Sequence, residues 1–95
     1  MNLANTVLLI TGGTGSFGHA VLDRFLTTDI REIRILSRDE KKQDDMRHAY
    51  QKWNPQYADK IKFYIGDVRD YNSILNAFRG VDFVCLLYTS DAADD

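Results

Sequence analysis

Apolar and polar positions along the chain change repeatedly between two patterns, short apolar runs and longer stretches with helical spacing. The short runs predict strands over 6–10, 32–36 and 61–65 and the start of a fourth strand over 81–84. The stretches between them predict helices over 16–27, 39–52 and 70–78. Strand and helix therefore alternate along the chain, which indicates βαβ units.

This alternation predicts an α/β fold with a parallel sheet, because the strands of βαβ units run in the same direction. Right-handed crossovers give the strand order 3-2-1-4, which is the N-terminal half of a Rossmann-type doubly wound sheet. In such a sheet a ligand binds beyond the carboxyl ends of the strands, where the strand order reverses. We therefore expect the loops 11–18, 37–42 and 66–69 to form one binding site.

The loop after the first strand is rich in glycine. Gly13, Gly15 and Gly18 fit the pattern G-x-G-x-x-G, and Gly12 with the last two fits G-x-x-G-x-x-G. A strand that turns sharply into a helix beside a pyrophosphate needs glycine, because a Cβ atom would block the approach of the backbone. The N-terminus of the helix then faces the anion. A turn without a ligand is the alternative, but the flanking strand and helix favour a dinucleotide site.

The loop after the second strand bears on the choice between NAD and NADP. NAD-binding proteins usually carry an acidic residue about 20 residues beyond the glycines, where it holds the ribose 2′-hydroxyl. Ser37 and Arg38 stand at that place, and Lys41 and Lys42 add positive charge nearby, which suits a 2′-phosphate. NADP is therefore predicted over NAD. Two alternatives are that the basic residues are ordinary surface charges and that Asp39 holds a ribose.

The loop after the third strand offers contacts for an adenine ring. Asp67 would provide a polar edge contact and Val68 an apolar wall. The alternative interpretation is a plain turn from strand to helix.

Composition and charge exclude several classes of protein. The 95 residues suffice for one domain at most, and a net charge of −2 offers no general attraction to nucleic acid or anionic membranes. No apolar stretch approaches the roughly 20 residues of a membrane span, and no signal peptide is visible, so a cytoplasmic protein is expected. Cys85, His19 and His48 show no metal-ligand spacing, so no metal is predicted.

Three segments together carry a resemblance to a known family. They are LITGGTGSFG at 9–18, IRILSRDEKKQ at 33–43 and FYIGDVRD at 63–70. They resemble the polysaccharide-biosynthesis branch of the extended short-chain dehydrogenase/reductases, and most of all the UDP-N-acetylglucosamine 4,6-dehydratases that invert C5. The resemblance covers about residues 3–84, and the segment 37–40 is more specific than the glycines.

The resemblance implies a role for each loop in binding NADP. The first loop would line the pyrophosphate, the second the 2′-phosphorylated ribose and the third the adenine. With the glycine pattern included, the residues predicted to bind the cofactor are Gly12, Thr14, Gly15, Ser16, Phe17, Gly18, Ser37, Arg38, Asp39, Glu40, Lys41, Lys42, Asp67 and Val68.

The resemblance also implies an activity for a longer parent protein. In the family, NADP takes a hydride from C4 of the sugar, water is eliminated across C5 and C6, and the hydride returns to C6. Such a lyase acts on UDP-N-acetylglucosamine in the synthesis of bacterial surface polysaccharides or glycans. We expect the parent to take a nucleotide sugar as substrate and to form a homo-oligomer, with no nucleic-acid or membrane partner.

No catalytic residue is predicted in this chain. The family places its substrate-side segment and its acid/base lysine after the fourth strand, and no tyrosine here is followed four residues later by lysine. The chain is therefore expected to bind NADP but to be inactive by itself. Two alternatives remain open, an NADP-binding reductase-like or sensor module of the same superfamily and a fragment without function.

The last eleven residues differ in character from the rest. Residues 85–95, CLLYTSDAADD, resemble a translated transposon-end sequencing adapter. We therefore expect a partial dinucleotide-binding domain over 1–84 and a non-native tail over 85–95, the alternative being a natural C-terminal extension. The fourth strand is expected to form an unprotected apolar edge, and the isolated chain to be marginally stable.

Overall fold

The computed structural model of the chain describes residues 2–12 and 14–86. These residues form strands β1 (Val7–Thr11), β2 (Glu32–Ser37), β3 (Ile61–Ile65) and β4 (Phe83–Leu86). The α-helices are α1 (Ser16–Leu26), α2 (Glu40–Trp53) and α3 (Tyr71–Phe78), and a single 3-10 turn covers Ala58–Lys60.

The four strands form one parallel sheet in the order β3-β2-β1-β4. Ile10 of β1 stands beside Ile35 of β2 on one side and Cys85 of β4 on the other. The predicted α/β fold and its strand order are thus confirmed. The strand β4 continues past residue 84, where the native segment was expected to end, and residues 87–95 of the expected tail lie outside the described residues.

Helices α1 and α2 cover one face of the sheet. Alternate side chains of a strand point to opposite faces, and one set of alternate residues packs under these two helices. The buried residues of this cluster are Leu8, Ile10, Leu22, Leu26, Ile30, Ile33, Ile35, Met46, Tyr50 and Ile61. The chain moves from β1 outward to β3 by two crossovers of the same hand, which places both helices on the same side.

Helix α3 lies on the other face, where the buried cluster is Leu9, Leu36 and Ala77. Arg34 of β2 binds the C-terminus of α3. The Nη1 of Arg34 donates to the carbonyl oxygens of Ala77 at 3.0 Å and Arg79 at 2.6 Å. A cation suits the partial negative charge at the end of a helix. This face therefore combines a small apolar contact with a charged one.

Candidate functional site

The glycine loop follows β1 at the carboxyl edge of the sheet. Gly12 has φ +63°, in the left-handed region that favours glycine, and this turn takes the chain from the strand towards α1. The Gly12 N–H donates to the Leu36 carbonyl of β2 at 2.8 Å. The first loop is therefore joined to the end of the neighbouring strand, and Gly13 lies outside the described residues.

Helix α1 begins without a side-chain cap. Its N-cap is Gly15, no side-chain cap hydrogen bond forms among the described residues, and the first turn contains no acidic residue. The first N–H groups of a helix have no partner within the helix and carry partial positive charge. An uncapped N-terminus at the carboxyl edge of a parallel sheet is suited to a phosphate.

Thr14 is a second feature of this loop that suits a phosphate. The residue is 7% exposed, and its Oγ1 has no hydrogen-bond partner within residues 2–12 and 14–86. A buried polar atom without a partner is unfavourable by about 1–3 kcal/mol, so native proteins usually satisfy it. A phosphate oxygen at this loop would accept a hydrogen bond from the hydroxyl, and the residues present therefore fit a dinucleotide.

The neighbours of Thr14 differ in exposure. Ser16 is exposed and Gly18 is buried in the first turns of α1. Phe17 is 72% exposed, so its ring is available to a ligand or to another part of a longer protein. Exposed large apolar side chains at a predicted site are more informative than buried ones.

His19 makes contacts with this loop that the sequence did not suggest. His19 Nδ1 lies 3.0 Å from the Gly15 carbonyl oxygen, and its ring stacks on Tyr50 with centroids 6.3 Å apart. The Tyr50 hydroxyl donates to Asp23 at 2.5 Å. Burial, together with this hydrogen bond, raises the pKa of Tyr50, which therefore remains a neutral donor. His19 thus joins the first loop to α2.

The second loop combines a buried serine with an exposed basic surface. Ser37 is buried, and its Oγ accepts from the Asp39 N–H at 3.2 Å. Asp39 caps α2, since its Oδ1 accepts from the Lys42 N–H at 3.0 Å. The carboxylate is therefore engaged by the helix, which weakens the alternative that it holds a ribose.

The charged side chains that flank this cap lie at the surface. Arg38, Glu40, Lys41 and Lys42 are all exposed. Lys41 pairs with Asp45 one turn later, at 3.4 Å between exposed groups. Such a pair is weak in water, and a phosphate could readily compete for the lysine.

The third loop is fixed by a glycine and a serine. The Gly66 N–H donates to the Ser37 carbonyl at 3.0 Å, and a Cβ atom at Gly66 would lie 2.9 Å from the Ser73 carbonyl oxygen. The Ser73 hydroxyl donates to the Asp67 carbonyl oxygen at 3.1 Å and accepts from the Asp67 N–H at 3.1 Å. The loop therefore packs closely against β2 and α3 at Gly66.

Asp67 is ionised and paired within this loop. The Arg69 guanidinium donates to both carboxylate oxygens, with the shortest distance 2.7 Å to Oδ2. These side-chain hydrogen bonds lower the pKa of Asp67 to about 2. A further hydrogen bond from the Arg69 backbone N–H and the charge of Arg38 contribute to the same shift. Val68, beside it, is half exposed. A carboxylate has room for a further donor such as an adenine amino group.

The structure thus brings the three predicted loops to one edge of the sheet. Backbone hydrogen bonds join Gly12 to Leu36 and Gly66 to Ser37, so the ends of β1, β2 and β3 are connected in sequence order. The buried Gln43 and the partly buried Ser73 also hold the loops and were missed. In the sequence, the only indication of their role is that each is a polar residue in the first turns of the helix that follows its loop.

Other kinds of site find no support in the described part of the chain. Residues 2–12 and 14–86 contain no group of three histidine, cysteine or acidic side chains placed to hold a metal ion. Within the same residues, no helix has both the length and the apolar character needed to cross a membrane.

Comparison with known proteins decides the family. Residues 8–90 match the family described as "Polysaccharide biosynthesis protein". The chain belongs to this family. The predicted polysaccharide-biosynthesis family is thus confirmed.

The curated relatives are much longer than this chain. A Rickettsia bellii protein named UDP-glucose 4-epimerase is 68% identical over 81 residues, which are 81% of this chain and 22% of that protein. A Rickettsia akari protein of the same name is 65% identical over the same shares. The finer prediction of a UDP-N-acetylglucosamine 4,6-dehydratase stays a prediction, because these relatives carry a different name.

Solved structures share the fold. Pen from Bacillus thuringiensis has a TM-score of 0.82 at 27% identity, covering 96% of this chain and 27% of its own. L-Sorbose reductase from Gluconobacter frateurii, solved with NADPH and L-sorbose, has a TM-score of 0.65 at 18% identity, covering 88% of this chain and 33% of its own. At that identity the second likeness concerns the fold alone.

Proposed function

We propose that this chain is the NADP-binding segment of an enzyme that acts at C4 of a UDP-linked sugar. The observation that carries the proposal is the buried Thr14 hydroxyl, which has no partner among residues 2–12 and 14–86, beside the N-terminus of α1, which no described side chain caps. Both features lie at the carboxyl edge of a parallel sheet, where dinucleotides bind in this class of fold.

Each loop has a separate task in this proposal. The N–H groups at the start of α1 and the Thr14 hydroxyl donate to the pyrophosphate. Arg38 and Lys42, both exposed at the start of α2, bind the 2′-phosphate, and Asp67 accepts from the adenine amino group. NADP supplies a hydride acceptor when bound, and this segment fixes its adenosine half.

The preference for NADP over NAD rests on the second loop. A ribose 2′-hydroxyl would need a carboxylate, and the Asp39 carboxylate instead caps α2. The exposed Arg38, Lys41 and Lys42 favour an anion at the same place. We therefore expect NADP to bind this chain at least about tenfold more tightly than NAD.

Two reactions are candidates for the longer protein. The three sequence segments favour a UDP-N-acetylglucosamine 4,6-dehydratase, whereas the Rickettsia relatives carry the name UDP-glucose 4-epimerase. Both activities change C4 of a hexose linked to UDP, and a hydride acceptor held by this segment would serve either. The acid/base residues lie outside this chain in our proposal, so the segment binds cofactor and turns over no sugar.

Calorimetric titration of the chain with NADP and with NAD tests the cofactor assignment. The expected result is tighter binding of NADP, and an Arg38→Gln variant should lose most of the difference. Equal affinities in the parent chain, or no effect of Arg38→Gln, would contradict the assignment of the second loop.

A chimera tests whether this segment supports chemistry at C4 of a nucleotide sugar. Residues 8–86 of this chain replace the corresponding segment of the Rickettsia bellii relative, and the purified chimera receives UDP-glucose or UDP-N-acetylglucosamine. Because the relative supplies the acid/base residues, a 4-keto-6-deoxy sugar or a C4 epimer, identified by NMR, would each support a role of this segment in chemistry at C4. A chimera that binds NADP but changes neither sugar, while the parent relative is active, would contradict a role in sugar chemistry.

A further inference from the structure

Gln43 is an unusual residue because its polar side chain is almost fully buried. It is 1% exposed and lies in the first turns of α2, immediately after the basic loop. Long polar side chains are rarely buried to this extent unless their hydrogen bonds are satisfied. The partners of Gln43 therefore indicate why an amide is present there.

The two hydrogen atoms of the Gln43 amide have separate partners. Nε2 donates to the Tyr64 carbonyl at 2.7 Å, near the end of β3, and to Ser37 Oγ at 3.3 Å, at the end of β2. The Tyr64 carbonyl can only accept, so the amide nitrogen must face it, which fixes the orientation of the side chain. One amide thus joins the start of α2 to the ends of two strands.

Ser37 links Gln43 to both the second and the third loop. Its Oγ accepts from the Asp39 N–H in the second loop as well as from Gln43, and its carbonyl accepts from the Gly66 N–H in the third. The charge of Arg38 reaches Asp67, so the two loops also interact electrostatically. Displacement of Ser37 would therefore move Arg38 relative to the third loop.

We propose that Gln43 is a positioning residue that sets the preference for NADP, by holding Ser37 so that Arg38 faces the 2′-phosphate. This inference rests on the proposed function. It assigns Ser37 an indirect role, because its buried hydroxyl is an acceptor for the loop and the side chain is not at the surface. The basic residues contact the phosphate, and Gln43 with Ser37 keeps them in place.

The test uses the 95-residue chain and the ratio of its affinities for NADP and NAD. Gln43→Met keeps the length and helix propensity of the side chain, adds no charge and removes both hydrogen bonds. Gln51→Met, at an exposed position on the same helix, is the matched control. Circular dichroism and thermal unfolding establish that each variant is folded before calorimetric titration.

The expected result is a fall of about tenfold in the NADP-to-NAD affinity ratio for Gln43→Met, with NAD affinity changed by less than about twofold. General loosening of the fold would weaken both cofactors together and leave the ratio unchanged. Gln51→Met should keep the ratio of the parent chain.

A double-mutant cycle with Ser37→Ala separates positioning from direct contact. If Ser37 acts through the connection to Gln43, the double variant should lose little beyond Gln43→Met alone. Additive losses would overturn the indirect role of Ser37, and an unchanged ratio in Gln43→Met would overturn the inference while leaving the proposed function intact. If the folded parent chain binds neither cofactor, the proposed function fails, and the inference fails with it.

Discussion

The three loops differ in how they cap the helix that follows. The second and third loops supply a side-chain cap, and the first loop does not. Helices α2 and α3 are capped by Asp39 and Asp70, whose carboxylates accept hydrogen bonds from N–H groups of the first turn. Helix α1 begins at Gly15, and no described side chain caps it. The protein supplies its own negative group to two helices, whereas in our proposal an external anion serves the third. The buried Thr14 Oγ1, just before that helix, has no hydrogen-bond partner among the described residues. The comparison teaches that a cap absent from one helix can be more informative than caps present on its neighbours.

The strongest test gives α1 the kind of cap that α2 and α3 have. Gly15→Asp is compatible with the backbone, since Gly15 has φ −85° and an extended ψ. We expect NADP affinity to fall about a hundredfold, because the carboxylate binds the N–H groups and repels the pyrophosphate. The free energy of unfolding should stay equal or rise by up to about 1 kcal/mol. Calorimetric titration and denaturant unfolding measure the two effects.

Ala20→Asp is the control for this variant. It adds the same charge at an exposed position one turn further along α1, away from the N-terminus. Its NADP affinity should change by less than about threefold, since an exposed carboxylate there interacts weakly through water and cannot accept from the first N–H groups of the helix. Equal losses in both variants would indicate a general charge effect and contradict the comparison.

A second test concerns the close packing of the third loop. In Gly66→Ala the new methyl group would lie 2.9 Å from the Ser73 carbonyl oxygen and 3.1 Å from Leu36 Cδ1. We expect the free energy of unfolding to fall by about 1–3 kcal/mol, measured by urea unfolding. Unlike Gly15→Asp, this variant loses stability as well as cofactor affinity. Unchanged stability would mean that the loop does not pack against α3 as described.

The third test measures a cap directly. Asp70→Ala removes the acceptor of the Asn72 N–H and should lower the free energy of unfolding by about 1 kcal/mol. NADP affinity should stay within about twofold of the parent chain, since this cap serves the helix alone. Asn72→Ala, at an exposed position in the same turn, should change stability by no more than about 0.5 kcal/mol. A larger effect on binding than on stability would contradict the division between capped and uncapped helices.

The smallest expected effect concerns pH. The pKa of Asp67 is lowered from 3.8 to about 2, so its pairing with Arg69 stabilises the fold above about pH 4. That contribution decreases as pH falls and is absent below about pH 2. Arg69→Gln should therefore be less stable than the parent chain at pH 5 and equal to it below pH 2.

The titration of the Asp67 carboxyl carbon by NMR gives a direct measurement. We expect a midpoint near 2 in the parent chain and a midpoint closer to 3.8 in Arg69→Gln. The same midpoint in both proteins would show that Arg69 is not the cause.

The strand order and the grouping of three loops were predictable from the sequence, because apolar spacing and crossover handedness leave few alternatives for a βαβ chain. The glycine turn was predictable for the same local reason, and Gly12 has the left-handed conformation that requires glycine. The Asp70 cap of α3 is a further local feature. Such features depend on neighbours within a few residues.

The remaining features depend on contacts between distant parts of the chain. Gln43 meets Tyr64 across 21 residues, and no local pattern distinguishes it from the exposed polar residues beside it. Asp39 is a local case instead, because the sequence allows a ribose ligand there and in the structure the carboxylate caps α2 through the Lys42 N–H. The unpartnered Thr14 hydroxyl is visible only when burial and hydrogen bonds are both known.

The attachment of α3 through Arg34 bears on the order in which a bound dinucleotide would leave. This helix rests on three buried residues and one guanidinium, whereas α1 and α2 share a cluster of ten. Parts of a protein with few buried contacts open first. Because Asp67 is tied to α3 through Ser73, we expect local opening to release the adenine end while α1 still holds the pyrophosphate.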